Sequence, residues 1–266
     1  MRHRIIRLII ALTGVLACSP VIRAQNAPRA AKAKAAEAFD PRDLSGVWMK
    51  PKQKSEPGGT PVVMTVPPPM TPLGLQKFNA NKPSYGPRAV PPALGNDPMG
   101  NCDPLGMPRE LFMEVSVYNM QIVPTPQRVF QFFEWAHTWR EIWTDGRPLP
   151  ANPEPSWMGH AVGKWDGGTF VVDSVGFDER SWLDHFGQPH SDELRVQERY
   201  RRLDHDTLEM GMTFTDPKIY TRPWIGENRI LKLVPSGEFS EIFCVPSEEQ
   251  SFNKRIRDPA AGKVTQ

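Results

Sequence analysis

The sequence predicts an all-β protein: an antiparallel meander of about ten strands closing into a barrel, with a Pro-rich irregular N-terminal segment wrapped around it. Three observations carry that expectation. From Leu111 onward, short runs rich in β-branched and aromatic residues alternate with turn residues, and no apolar stripe at helical spacing interrupts them. The connections are tight, with Asp166-Gly167-Gly168, Asp204-His205-Asp206 and Pro235-Ser236-Gly237 all hairpin-like, so successive strands become antiparallel neighbours. Fourteen of the 29 prolines fall between Pro51 and Pro108, which excludes helix or central strand over most of that stretch because proline removes a backbone donor.

The expected strands, in order, are Leu44–Met49, Tyr118–Pro124, Arg128–Ala136, Thr138–Thr144, His160–Trp165, Thr169–Phe177, Glu193–Leu203, Thr207–Thr215, Asn228–Val234 and Glu238–Val245. A meander of this length removes its unpaired edges most simply by closing on itself. The first strand opens with Gly46-Val47-Trp48, and Gly163-Lys164-Trp165 repeats the spacing. The first of these resembles the start of lipocalin-type barrels, so the expected barrel is lipocalin-like. The Pro-rich stretch 51–108 holds Val62, Val63, Met64, Leu73, Leu75, Phe78, Tyr85 and Leu94, more apolar anchors than a disordered linker carries, and should therefore wrap the domain.

The N-terminus reads as a targeting segment. Met1 to Arg7 is basic, Leu8 to Cys18 is apolar, and Ile22-Arg23-Ala24 is a cleavage site before Gln25, so residues 1–24 are expected to be a secretory signal peptide. The apolar run is too short to span a membrane and no later stretch is longer. A competing reading takes Val15-Leu16-Ala17-Cys18 as a lipoprotein box with Cys18 lipidated. Residues 25–43 follow as a mobile leader, 44–246 as one barrel domain, and 247–266 as a C-terminal tail.

Export gives the cysteines a meaning. Of the three, only Cys102 and Cys244 survive cleavage after Ala24, and an oxidising compartment favours a disulfide between them. Their context supplies no metal-binding spacing. The charge balance excludes another class of partner. The signal segment, residues 1–24, carries Arg2, Arg4, Arg7 and Arg23 and no acid, so its removal turns 32 basic and 30 acidic groups into 28 against 30, and no nucleic-acid-binding face is expected.

Alternation sorts the strands into faces. Leu208, Met210, Met212 and Phe214 share a face with Asp216, and Leu194, Val196 and Tyr200 share one with Glu198. In the 128–144 ribbon, Phe130, Phe132, Ala136 and Ile142 alternate with Phe133, Trp135, Trp139 and Trp143, with Glu134 and Arg140 on the first face. Asp173 sits between Val171 and Val175. Charges on apolar faces need partners, so Glu134, Arg140, Asp173, Glu198 and Asp216 are either structural ion pairs or the polar patch of a ligand cavity.

Chemistry-bearing clusters are few. The stretch Asp184 to Glu193 contains His185, His190 and several carboxylates, and His160 enters a strand after a Pro-rich turn. A His–carboxylate pair drawn from His160 or His190 with Asp173 or Glu198 would suit proton transfer, with Arg140 for an oxyanion. Tyr220, Arg222 and Trp224, with Glu134 and Trp165, are candidate ligand-binding residues, because a phenol, a guanidinium and indoles can clamp an aromatic or carboxylate-bearing molecule. No nucleophile elbow, phosphate loop or zinc signature is present, so no cofactor or metal is expected.

Cys102 to Arg109 (CDPLGMPR), Thr144-Asp145-Gly146-Arg147, Gly159-His160 with Trp165-Asp166-Gly167, Thr169 to Phe177, Pro189-His190-Ser191 with Glu198-Arg199, and Asp216-Pro217 through Pro223-Trp224 together resemble a family of exported bacterial proteins with no established activity. The resemblance spans residues 100 to 245, departs at Gly168 where an acidic residue is expected, implies export and a single domain, and transfers no catalytic residue. The sequence therefore leads to an exported barrel binding a small, partly apolar molecule in its lumen. The alternatives are a cofactor-free lyase, isomerase or hydrolase using a His–carboxylate pair on the same scaffold, or an envelope structural or complex component.

Overall fold

The computed structural model describes residues 38–51, 66–112, 119–226 and 228–263; the expected signal peptide, the Cys18 anchor and most of the leader lie outside them. Ten strands form one sheet: β1 (Gly46–Met49), β2 (Asn119–Pro124), β3 (Arg128–Phe133), β4 (Trp139–Trp143), β5 (His160–Asp166), β6 (Thr169–Val175), β7 (Arg195–Asp204), β8 (Thr207–Thr215), β9 (Trp224–Ile225) and β10 (Arg229–Leu233). β10 pairs with both β1 and β8, which closes a nine-strand barrel, while β9 attaches to β8 as an extra strand. A closed ring with an odd number of strands cannot be antiparallel throughout. Among the described strands the one parallel pair is β4 with β5, and residues 144–159 run back to make it, as a parallel pair requires. The expected all-antiparallel meander is corrected at that point.

Closure also corrects the last expected strand. Both edges of β10 are occupied, so residues 238–245 cannot pair with the strand that precedes them and are irregular. They are held instead by the Cys102–Cys244 disulfide and by Ser240, whose N–H donates to Glu134. After them come a short helix, Pro246–Phe252, and Arg257, which donates to the carbonyl of Gly95. In this way the C-terminal residues brace the Pro-rich segment.

That segment does wrap the barrel across its described part, residues 66–108, but contains one true helix, α1 (Pro72–Ala80). Proline is tolerated at its first turn, and the Thr71 hydroxyl accepts from the Gly74 N–H as an N-cap. Gly74 is required by proximity, since a Cβ there would lie 2.3 Å from the Ile219 carbonyl oxygen. Further along, Arg109 is 1% exposed and donates both terminal nitrogens to Asp97 at 2.9 and 2.8 Å. This bidentate pair holds the 97–109 turn against the domain.

Inward positions follow the expected alternation on β7 and β8: Leu194, Val196, Glu198 and Tyr200 are buried, as are Leu208, Met210, Met212, Phe214 and Asp216. They pack with Trp48, Met120, Ile122, Ile142, Phe170 and Val172 in one core. Each such apolar side chain contributes about 1.5–3 kcal/mol by leaving water. Gly163 also faces this core, where a Cβ would meet the Phe170 ring at 2.4 Å. On β3, where both faces are partly apolar, the inward side is Val129, Gln131 and Phe133, and Phe130 and Phe132 are half-buried on the opposite side. The tight turn at 134–138, with Ala136 and His137 in the left-handed region, shifts the register between β3 and β4, so Arg140 and Ile142 still point inward. At the hairpin end of the barrel Arg202 donates to the Asp43 and His205 carbonyls and lies 5.5 Å over the Trp48 ring.

Candidate functional site

Two polar clusters stand out, one inside the barrel and one at its end. Inside, Arg140 on β4 donates to both oxygens of Glu198 on β7 at 2.9 and 2.5 Å and through Nε to Gln131 at 2.7 Å. Tyr200 donates to Glu198 at 2.6 Å and accepts from Gln131 at 3.1 Å. Burial, then the Glu198 carboxylate, push the Tyr200 phenol well above its ordinary value, so it stays a donor. Burial pulls the Arg140 guanidinium down, but Glu198 and Tyr200 outweigh it and the net shift is upward. Every member is satisfied by another, which is the arrangement of a structural bridge across the lumen.

The second cluster lies where β6 ends and β7 begins. Residues 176–194 connect these strands, and their loop turns back on itself through Asp184, which accepts from the N–H groups of Phe186 and Gln188. Within it Ser181 Oγ lies 2.8 Å from His190 Nε2, and His190 Nδ1 lies 3.0 Å from the Ser191 carbonyl oxygen. A carbonyl can only accept, so Nδ1 carries the proton and Nε2 presents a lone pair to the Ser181 hydroxyl. Ser191 is itself fixed by Asp216, which accepts from its N–H at 2.6 Å and its hydroxyl at 2.8 Å. Tyr220 donates to the neighbouring Pro189 carbonyl and packs near Trp224, ring centres 5.4 Å apart.

Ser181 and His190 form part of the wall of a cleft of about 400 Å³. The other walls come from α1 (Lys77, Asn81), the 96–103 turn (Asn96, Asn101, Asp103) and the loop itself (Glu179, Arg180, Trp182). Lys77 pairs with Glu179 at 2.6 Å, and Arg180 with Asp178 while lying over the Trp157 ring. The disulfide and the Arg109–Asp97 pair fix the 96–103 wall from behind.

Burial lowers the His190 imidazole below its ordinary 6.5, while the Ser191 hydrogen bond and the Asp216 and Glu179 charges pull upward and Lys77 downward. A depressed native value means that the unfolded chain binds the proton first as pH falls. Stability contributed here is therefore complete above about pH 6.5 and is lost as pH drops toward the native value. The expected result is a urea midpoint that falls between pH 7.5 and 5, with a shallower fall in His190→Gln. An equal fall in both proteins would remove His190 as the cause.

The other expected site residues are dispersed. His160 begins β5 and its Nε2 meets the Glu154 carbonyl at 2.8 Å. Asp173 lies on the outer face of β6, accepting from Gln197, and lines a separate outer groove with Arg195 and Thr213. Glu134 is buried and saturated, accepting from Asn119 N–H and Nδ2 and from Ser240 N–H. Trp165 packs on Phe170 with Arg42 over its ring, Trp224 packs on Phe214, and Arg222 is exposed. His185 packs between Tyr85 and Phe186. The structure thus joins Arg140 to Glu198, and brings His190, Tyr220 and Trp224 to one end of the barrel. Sequence reasoning missed Ser181, Trp182, Gln131 and the role of Tyr200. Only Tyr200 had a legible signal, its place on the face of Glu198.

Fold and clusters define a closed β-barrel with a small polar cleft at one end. No family model, curated protein or solved structure matches the chain. Among the described residues no helix is long and apolar enough to cross a membrane.

Proposed function

We propose that this chain is an exported β-barrel protein that binds a small, partly apolar organic molecule, and that it does so in the cleft beside His190. The observation carrying this reading is the cleft itself. Its volume of about 400 Å³ lies within the range of small-molecule sites, and it sets an indole, amide groups and paired charges around one opening. The lumen is a weaker candidate, because its charged groups are already bound to one another. Export rests on the pattern of residues 1–24, and the disulfide is in keeping with it.

The test is ligand-observed NMR on the mature chain with a library of small carboxylates, phenols and amides. Asn101 is an exposed wall residue, so Asn101→Trp should fill the cleft without disturbing the core. Binding weakened at least tenfold in Asn101→Trp, and unchanged in the outer-groove control Thr213→Trp, is the expected result. A library without binders, or binders indifferent to Asn101→Trp, would overturn the proposal.

A further inference from the structure

We infer that Ser181 and His190 form a nucleophile–base pair that hydrolyses a small carboxylic ester bound in the cleft, an inference that rests on the binding reading above. Nucleophilic catalysis needs a hydroxyl within hydrogen-bond reach of a base whose lone pair faces it, and a third group that orients the base. All three are present. The hydroxyl and imidazole are 2.8 Å apart, and the Ser191 carbonyl fixes the tautomer. Asp216 in turn holds Ser191 through two hydrogen bonds. The Ser181 hydroxyl has a second acceptor, the Asp178 carbonyl at 3.0 Å. His190 is 1% exposed, however, and the Ser181 hydroxyl is the donor placed at its Nε2, so leaving that lone pair unfilled would be costly.

Both side chains are buried yet line the cleft, which is where an acyl group would have to sit. The backbone N–H of Trp182, next in sequence to Ser181, makes no backbone hydrogen bond among the described residues. The amide following a nucleophile is a suitable donor to a tetrahedral oxyanion. In the first step Ser181 Oγ attacks the ester carbonyl carbon as its proton passes to His190 Nε2. The carbon–oxygen bond to the leaving alkoxide then breaks, and that alkoxide takes the proton from His190 and departs as an alcohol. In the second step water, deprotonated by His190, attacks the acyl-serine. The carboxylic acid leaves and Ser181 regains its proton. The sum is ester plus water giving acid plus alcohol, with no further reactant.

The test uses the mature, disulfide-bonded chain with p-nitrophenyl butyrate as substrate and a fluorophosphonate as a serine-directed label. Labelling confined to Ser181 by peptide mass spectrometry is expected, together with hydrolysis that falls roughly 100-fold or more in Ser181→Ala. Ser181→Ala keeps the backbone and removes one oxygen, and its fold is checked by circular dichroism and by its urea midpoint. Folded protein that binds library members but neither labels nor hydrolyses would overturn this inference and leave the binding reading standing. Label on another residue, or Ser181→Ala as active as the parent chain, would overturn it equally. Loss of both binding and hydrolysis in the folded parent chain would remove both readings.

Discussion

Arg140→Ala should cost about 3–5 kcal/mol of folding stability, because it strands a carboxylate that is 0% exposed without its cation. Glu198 keeps its bond from Tyr200, but that phenol cannot supply the missing charge. The informative companion is the double replacement Arg140→Met with Glu198→Leu. It removes both charges and refills the volume, and should lose much less, since a buried ion pair exchanged for apolar groups is often close to neutral. Urea denaturation of the parent chain and both variants decides the matter. A single mutant within about 1 kcal/mol of the parent would show that the bridge is not a closed network.

Cutting the Cys102–Cys244 bond should have the second large effect. The bridge closes a loop with a sequence separation of 142, and restricting so long a loop in the unfolded chain is worth several kcal/mol on the chain-entropy account, so about 2–5 kcal/mol should disappear in Cys102→Ser with Cys244→Ser. The loss has a local component. Residues 96–103 are tied to the barrel by the Arg109–Asp97 pair and this bond, and they form one wall of the cleft. Hydrogen exchange should therefore rise first around 95–103 and 240–257, with the β7–β8 ladder still protected. Uniform loss of protection across both regions would mean that the bridge supports the whole barrel rather than its end.

The two clusters differ in how far the sequence reveals them. Glu198 and Arg140 each interrupt an apolar alternation, and a charge on a buried face demands a partner, so the alternation alone marks both as important. Their mutual pairing was one of two open readings, since the strands that carry them, β4 and β7, are not neighbours in the sheet. Ser181 offered no signal. It is a small polar residue in an irregular loop, and only the fold of residues 176–194 sets it against His190. Glu134 and Trp224 lie outside both clusters for a reason the sequence does not show. Their chemistry suits a ligand, but backbone donors in one case and a packed aromatic neighbour in the other already occupy them.

Strand existence was legible where turn residues bracket a β-rich run, 238–245 excepted, and facing was legible on β7 and β8, where polar and apolar residues alternate strictly. It was not legible on β3, because Phe130, Phe132 and Phe133 make both faces apolar and a turn with two left-handed residues reset the register. The sequence by itself determined the all-β class and the Pro-rich wrapping, since these follow from local backbone preference and composition, and it pointed to the Cys102–Cys244 bond. Tertiary structure alone decided that nine strands close the ring, that one neighbour pair must then be parallel, and that residues 238–245 do not pair with β10. Those outcomes depend on which strands meet across the closure, a long-range choice that no local pattern encodes.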